Sequence, residues 1–483
     1  MTEISVGFLG RAVSLLLVGL FFGLPRVNAA GNPDIPIEHI IIIVQENHSF
    51  DNYFGTFPGA NGIPAGTVLA DYPGGPLINK PFPLEVEAVP FDLPHGWTTA
   101  KVVWDNGAMD GFLWGEYAQG TDYYGKAIPV PTPNPALVTF KKLNKNSAEY
   151  KKLANEKLSM VDGQLVSPHG FADDEDEDAP DVEERNAELR AKEPVPSGSP
   201  NPAKRGKYVI DTIGYWDNMT IPNYWEYAEK FTLCDAFFSA MTGPSVPNHL
   251  YIVAAQSGAL VGDGSIGRRT VAEYSFPSVI QLLGQAGITW KYYSGTRPTG
   301  KEEIWKPLPG FRAYSKRLDP GIDLESHLQQ TNSFFNDLKA GTLPQVCWLV
   351  PAPALSEHSP SNIVDGMWYV TGLINAVMES SYWNTCAILL MWDDYGGFYD
   401  HVPPVQIDEF GFGFRVPAIV ISPYSLSGQV VHTQYDLTSP LKLIETKFGL
   451  SPLTARDGMS NSMLECFDFT QTPLPPVIIN KSK

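Results

Sequence analysis

Five short, mostly apolar runs rich in β-branched residues constrain this chain more than any other feature: Ile37–Val44, Ile288–Tyr293, Val346–Val350, Cys386–Trp392 and Val416–Ser422. They do not alternate apolar with polar residues, which is the pattern of strands buried on both faces. Each ends abruptly in polar residues, Gly or Pro. Segments with helical spacing lie between them, Pro277–Gln285, Phe334–Ala340 and Tyr369–Glu379, and Pro440–Lys447 follows the last run. Strands alternating with helices predict an α/β chain with a largely parallel central sheet covered on both faces. Such sheets gather ligands beyond the carboxyl ends of their strands, so function is expected in the residues that follow each run.

Two of these strand ends are acidic. The first run leads into Glu46-Asn47-His48-Ser49-Phe50-Asp51, and Cys386–Trp392 leads into Asp393-Asp394-Tyr395-Gly396-Gly397. Carboxylates brought together in a cleft of low dielectric repel one another unless a cation intervenes. Oxygen donors of this kind suit calcium, magnesium or manganese, and one such divalent ion is the expected cofactor. A hydroxyl nucleophile beside such an ion would have a lowered pKa. Ser245 is the candidate, clamped between Pro244 and Pro247 in Gly243-Pro244-Ser245-Val246-Pro247-Asn248-His249 and followed by an apolar helix over Leu250–Ala255. Taken alone, that segment reads as a rigid turn.

The formal charge of −19 disfavours nucleic acid, a polyanion, as a partner. Eleven of the acids fall within Asp173–Glu193, which is expected to be part of a solvated loop over 173–202. This loop ends an irregular insertion, 56–207, expected to form a cap. Residues 1–29 carry Arg11, then the apolar stretch Ala12–Leu24 and a Val27-Asn28-Ala29 cleavage pattern, and so read as a signal peptide for secretion or periplasmic export. A single domain over 30–470 and a short tail, 471–483, complete the expected organisation. Cys347 and Cys386 lie within strand-like runs and read as buried thiols. An exported chain permits a bridge, but spacing does not pair the four cysteines.

Several ordered segments together resemble the phosphoesterase family that includes bacterial and plant non-specific phospholipases C and a related acid phosphatase. They are Glu46–Gly55, Tyr215–Phe238, Gly243–Asn248, Ser356-Glu357-His358, Asp393–Pro404 and Arg415–Pro423. The resemblance implies an alkaline-phosphatase-like α/β/α sandwich, with Glu46, Asp393 and Asp394 holding the metal and Ser245 attacking phosphorus to give a phosphoseryl intermediate. It implies that Asn47 touches the phosphoryl oxygens, and that His95 and His358 lie near the phosphate, where either is suited to protonating the leaving group. Many members have threonine in place of Ser245 and arginine in place of His249, so His249 is assigned to the phosphate with a weaker grip than a guanidinium would give. The second acid is often glutamate in relatives, where this chain has the shorter Asp394. His401 is set aside as a supporting or structural residue.

The expected activity is phospholipase C-type cleavage of a phosphodiester, with hydrolysis of phosphomonoesters as the alternative. A non-catalytic exported calcium- or ligand-binding protein is the rival from another class. The substrate is then a small-molecule or phospholipid phosphate ester. Trp97, Trp104, Phe112 and Trp114 supply either an apolar rim for transient contact with a membrane surface or, as expected, the core of the cap.

Overall fold

The computed structural model describes residues 31–90, 92–115, 126–142, 209–263, 270–295, 305–311, 316–317 and 323–481. The signal-like segment 1–29, the acidic loop 173–202 and much of the expected cap lie outside them. An eight-stranded sheet forms the centre, built from β1 (His39–Gln45), β2 (Thr232–Cys234), β3 (Trp290–Ser294), β4 (Leu328–Gln330), β5 (Val346–Val350), β6 (Cys386–Trp392), β7 (Ala418–Ile421) and β8 (Gln429–Val431). Their spatial order is β4-β3-β5-β1-β6-β7-β2-β8. The five strands from β4 to β6 run parallel, whereas β7 is antiparallel to both β6 and β2. The sheet is therefore mixed, with a parallel majority.

β5, β1 and β6 sit at the middle and are buried almost throughout, which explains their apolar sequences. Pairing of Gln45 with Trp392 brings the ends of β1 and β6 level, and the Asp393 N–H donates to the Gln45 carbonyl at 3.1 Å. Glu46 and Asp393 thus leave neighbouring strands side by side. Glu46 N–H donates to the Ser356 carbonyl at 2.9 Å, which ties the loop following β5 to the same edge.

The helices that matter for the site are α1 (Phe50–Phe54), α2 (Trp97–Trp104), α3 (Pro222–Lys230), α4 (Ser245–Ala254), α5 (Val279–Ala286), α6 (Thr331–Ala340), α7 (Ile363–Met378) and α8 (Ser439–Phe448). The last four match the helical spacing read from the sequence. α4 does not begin at Leu250: it begins at Ser245, with Pro247 in its first turn. Proline is tolerated there because first-turn N–H groups have no partner within the helix. Described parts of the 56–207 region are tied into the body. Phe82–Pro83 pairs with Gly214–Tyr215, and Val138–Lys142 pairs with Thr270–Tyr274. Trp97 and Phe112 are buried, and Trp104 and Trp114 are half-buried.

Behind the strand ends lies Glu357, fully buried. One of its oxygens accepts from the Gln45 side-chain amide at 2.9 Å and from the Tyr224 hydroxyl; the other accepts from the Tyr53 hydroxyl at 2.7 Å and the Trp392 indole at 3.1 Å. Only an acceptor-rich group can receive four donors. Its backbone has φ of 73°, unusual for a side chain of this kind, and α7 approaches so closely that a Cβ on Gly366 would lie 2.3 Å from Glu357 Cγ. Burial pushes the Glu357 acid up to about 7 from its usual 4.5, against the pull of the four donors. The stability it contributes is then present below pH 4.5 and lost as pH rises through about 7, a decline of about 3 kcal/mol. Urea unfolding of wild type and Glu357→Gln from pH 4 to 8 should show that slope only in the wild type, since glutamine mimics the protonated acid. Glu357→Ala strands all four donors and should cost about 3–5 kcal/mol at every pH.

Candidate active site

At the level carboxyl ends of β1 and β6, four fully buried groups meet. Ser245 Oγ lies 2.9 Å from Glu46 Oε2 and 3.1 Å from Asp394 Oδ2, so its single proton can serve either carboxylate. Asp394 is fixed from its other side, where Oδ1 accepts from the Gly396 N–H at 2.8 Å. Asp393 is 0% exposed, yet neither of its carboxylate oxygens receives a hydrogen bond. Burial, followed by the charge of Asp394, holds the Glu46 acid well above its usual range; Asp393 is raised by burial and then by Glu46 and Asp394. Such acids take up either protons or a cation. Orphaned oxygens on Asp393 and a donor set rich in carboxylate suit the cation, so these residues fit the divalent ion expected from the sequence.

α4 supplies the serine. Ser245 is its first residue, and the Val246 N–H donates to Asp263 Oδ1 at 2.9 Å. The preceding turn is locked by Asn248: its side-chain oxygen accepts from the Met241 N–H at 3.1 Å, and its amide donates to the Gly243 and Pro244 carbonyls, each at 3.1 Å. The sequence marked Asn248 only as part of a motif. Four residues along a helix returns to the same face, and His249 accordingly lies beside Ser245. Its Nε2 is 2.7 Å from Glu46 Oε1 and 3.7 Å from Asp393 Oδ2. Burial holds the imidazole below its ordinary pKa, despite the acids around it.

Asn47 and the other two histidines form an adjoining group. Asn47 Nδ2 and His95 Nε2 are 3.2 Å apart, and the His95 and His358 rings are 5.8 Å apart. Both histidines set their Nδ1 against a backbone carbonyl, Leu93 at 2.6 Å for His95 and Ser359 at 2.7 Å for His358. Since a carbonyl only accepts, both rings carry Nδ1–H and keep Nε2 for other partners. Burial disfavours the His95 imidazolium, but Asp394, Asp92 and the Leu93 carbonyl outweigh it and hold the pKa up to about 9. When that ring is protonated, the Asn47 amide must turn its oxygen toward Nε2. A Cβ on Gly396 would sit 1.9 Å from the Asn47 carbonyl oxygen, so the strand-end loops close on each other only because glycine stands there.

His401 belongs to a different cluster. Its Nδ1 lies 2.7 Å from Asp51 Oδ2, and Arg415 donates to Asp51 at 3.0 Å and to both oxygens of Asp400 at 2.9 and 3.0 Å. The remaining Arg415 N–H groups reach the Asn61 and Asp235 carbonyls. The guanidinium already supplies the positive charge these two acids need, so this group is a buried ion cluster that pins α1. Among the described residues no helix is long and apolar enough to cross a membrane.

The chain resembles known proteins in both sequence and structure. The chain is 27% identical to phospholipase C A of Mycobacterium tuberculosis over 90% of its own length and 78% of that protein's. It is 24% identical to the hemolytic phospholipase C of Pseudomonas aeruginosa, over 94% of this chain and 60% of that one. A solved structure from the alkaline phosphatase superfamily of Vibrio parahaemolyticus overlaps with a TM-score of 0.31 at 11% identity, over 50% of this chain and 63% of that one. The model of the Phosphoesterase family matches residues 37–451. The chain therefore belongs to the Phosphoesterase family, as a hydrolase acting on phosphoric ester bonds.

Proposed function

We propose that this chain is an exported phosphodiesterase of the phospholipase C type, with the alkaline-phosphatase-like architecture its family resemblance implies, and that Ser245 is its nucleophile. The observation that carries the reading is the Ser245 hydroxyl held 2.9 and 3.1 Å from Glu46 and Asp394, beside an Asp393 whose two oxygens are bare and buried. A divalent ion held by Glu46, Asp393 and Asp394 would supply positive charge against a serine alkoxide and against the phosphoryl oxygens.

The remaining work falls to the chain's own groups. Ser245 Oγ gives up its proton along one of its two carboxylate hydrogen bonds and forms the new bond to phosphorus. The bond from phosphorus to the leaving alcohol breaks, and His95 or His358 gives that oxygen a proton. The same histidine then takes a proton from water, which attacks the phosphoseryl group and returns Ser245 to its starting state. Asn47, set between β1 and His95, orients the phosphoryl oxygens through its amide. Phospholipase C names among its relatives favour a lipid head group as the leaving alcohol.

Ser245→Ala should lower kcat on a phosphocholine diester by at least ~10³-fold, and a chelator should abolish wild-type turnover until divalent ion is restored. Turnover unaffected by both treatments contradicts the reading. Leaving-group dependence identifies the proton donor. His95→Gln and His358→Gln are to be assayed on an alkyl diester and on a nitrophenyl ester, whose leaving group needs no proton. The donor's variant loses ~10²–10⁴-fold on the former and far less on the latter, whereas a variant that only disturbs binding loses equally on both.

A further inference from the structure

We infer that His249 is a nitrogen ligand of the metal, which makes the site one for a first-row divalent transition ion rather than for calcium or magnesium. The inference rests on the metal-dependent reading above and goes beyond it by changing the donor set. Glu46, Asp393 and His249 each offer one ligand atom, and these atoms all lie within 4.8 Å of one another. All three side chains are buried. Bonds of about 2.1 Å to a first-row ion place neighbouring donors roughly 3.0–3.4 Å apart, and the separations of His249 Nε2 from Glu46 and Asp393, 2.7 and 3.7 Å, bracket that spacing. A hydrogen bond from His249 to Glu46 alone would leave both Asp393 oxygens bare. An ion joining all three would give Asp393 the partner it lacks. Position on the helix supports this arrangement, because Ser245 and His249 share a face of α4 one turn apart, so nucleophile and nitrogen donor enter from the same direction. Carboxylates alone suit calcium, magnesium and manganese; adding an imidazole shifts the preference away from calcium and magnesium toward first-row transition ions such as iron, nickel or zinc.

The test uses the metal-stripped full chain loaded with Mn(II), with histidines carrying either ¹⁴N or ¹⁵N, and read by electron spin-echo envelope modulation. Nitrogen coupling that changes with the isotope is expected in the wild type and absent in His249→Gln. That variant should bind Mn(II) ~10–100-fold more weakly while its calcium affinity moves less than about threefold. Bound Mn(II) without nitrogen coupling, or coupling that persists in His249→Gln, overturns the inference alone, since chelator-sensitive turnover dependent on Ser245 would still stand. Wild type that takes up no Mn(II) overturns the inference, and the metal-dependent reading falls with it only if calcium and magnesium are refused as well. Should His249→Gln fail to fold, the isotope pair in the wild type still decides.

A separate observation carries a second proposal: the geometry points to a disulfide between Cys234 and Cys466. Their sulfurs are 3.6 Å apart and buried, 232 residues apart in sequence. Cys347 and Cys386 instead face backbone carbonyls three residues earlier and lie on strands separated by β1. The bond forms by exchange with a small disulfide such as oxidised glutathione, which takes up two electrons and two protons and leaves as two thiols. After refolding with glutathione, denaturation and alkylation, mass spectrometry should find two modified cysteines, 347 and 386, and a peptide joining 234 to 466. Four modified cysteines, or any other pairing, would overturn it.

Discussion

Three carboxylates packed without solvent around one hydroxyl govern the rest of this molecule. Two charges 4 Å apart repel by about 4 kcal/mol even at an effective dielectric of 20. Glu46, Asp393 and Asp394 are all fully buried, and burial raises the pKa of each, reinforced by neighbouring acids at Glu46 and Asp393 and opposed at Asp394 by His95 and the Gly396 N–H. Nothing in a hydrophobic core requires such a grouping. Parallel strands make it possible: β1 and β6 end level, so consecutive residues of two distant segments leave the sheet side by side. The serine completes the group from the start of a helix whose preceding turn is fastened by Asn248.

Holding repelling groups together requires rigid surroundings, and two buried polar clusters provide them. Glu357 collects donors from β1, α1, α3 and β6, locking the loop that carries His358 against the strands that carry Glu46 and Asp393. His48 reinforces it by donating Nε2–H to the Glu357 carbonyl at 3.0 Å, and burial lowers its pKa to about 3, so it stays neutral there. Arg415 does the corresponding work for α1 with Asp51 and Asp400. Neither cluster touches Ser245. Each fixes a loop that does carry site residues.

Much of this was legible in the sequence, for reasons tied to particular residues. Val346–Val350 and Cys386–Trp392 are strands with the bounds their apolar runs predict, because burial on both faces leaves no room for polar residues. Glu46 after the first run and Asp393-Asp394 after Cys386–Trp392 stood out for the same reason. Three-residue strands such as Thr232–Cys234 and Gln429–Val431 are too short to show a period, and the antiparallel direction of Ala418–Ile421 has no local signature. His249 was assigned to phosphate because relatives carry arginine at that position, and the helix was expected to begin only at Leu250. Once Ser245 is its first residue, the spacing of four places serine and histidine on one face, a signal that was present but needed the right helix start.

The central claim is that Ser245 is made nucleophilic by the acids converging on its oxygen. It is tested most directly by stopping turnover of a phosphocholine diester with acid within milliseconds and locating phosphate in the digested chain by mass spectrometry. The account predicts a phosphoserine at position 245 that appears and decays with turnover, and is missing when Glu46 is replaced by glutamine. Phosphate on another residue, or steady hydrolysis with none on the chain at any time, would contradict it.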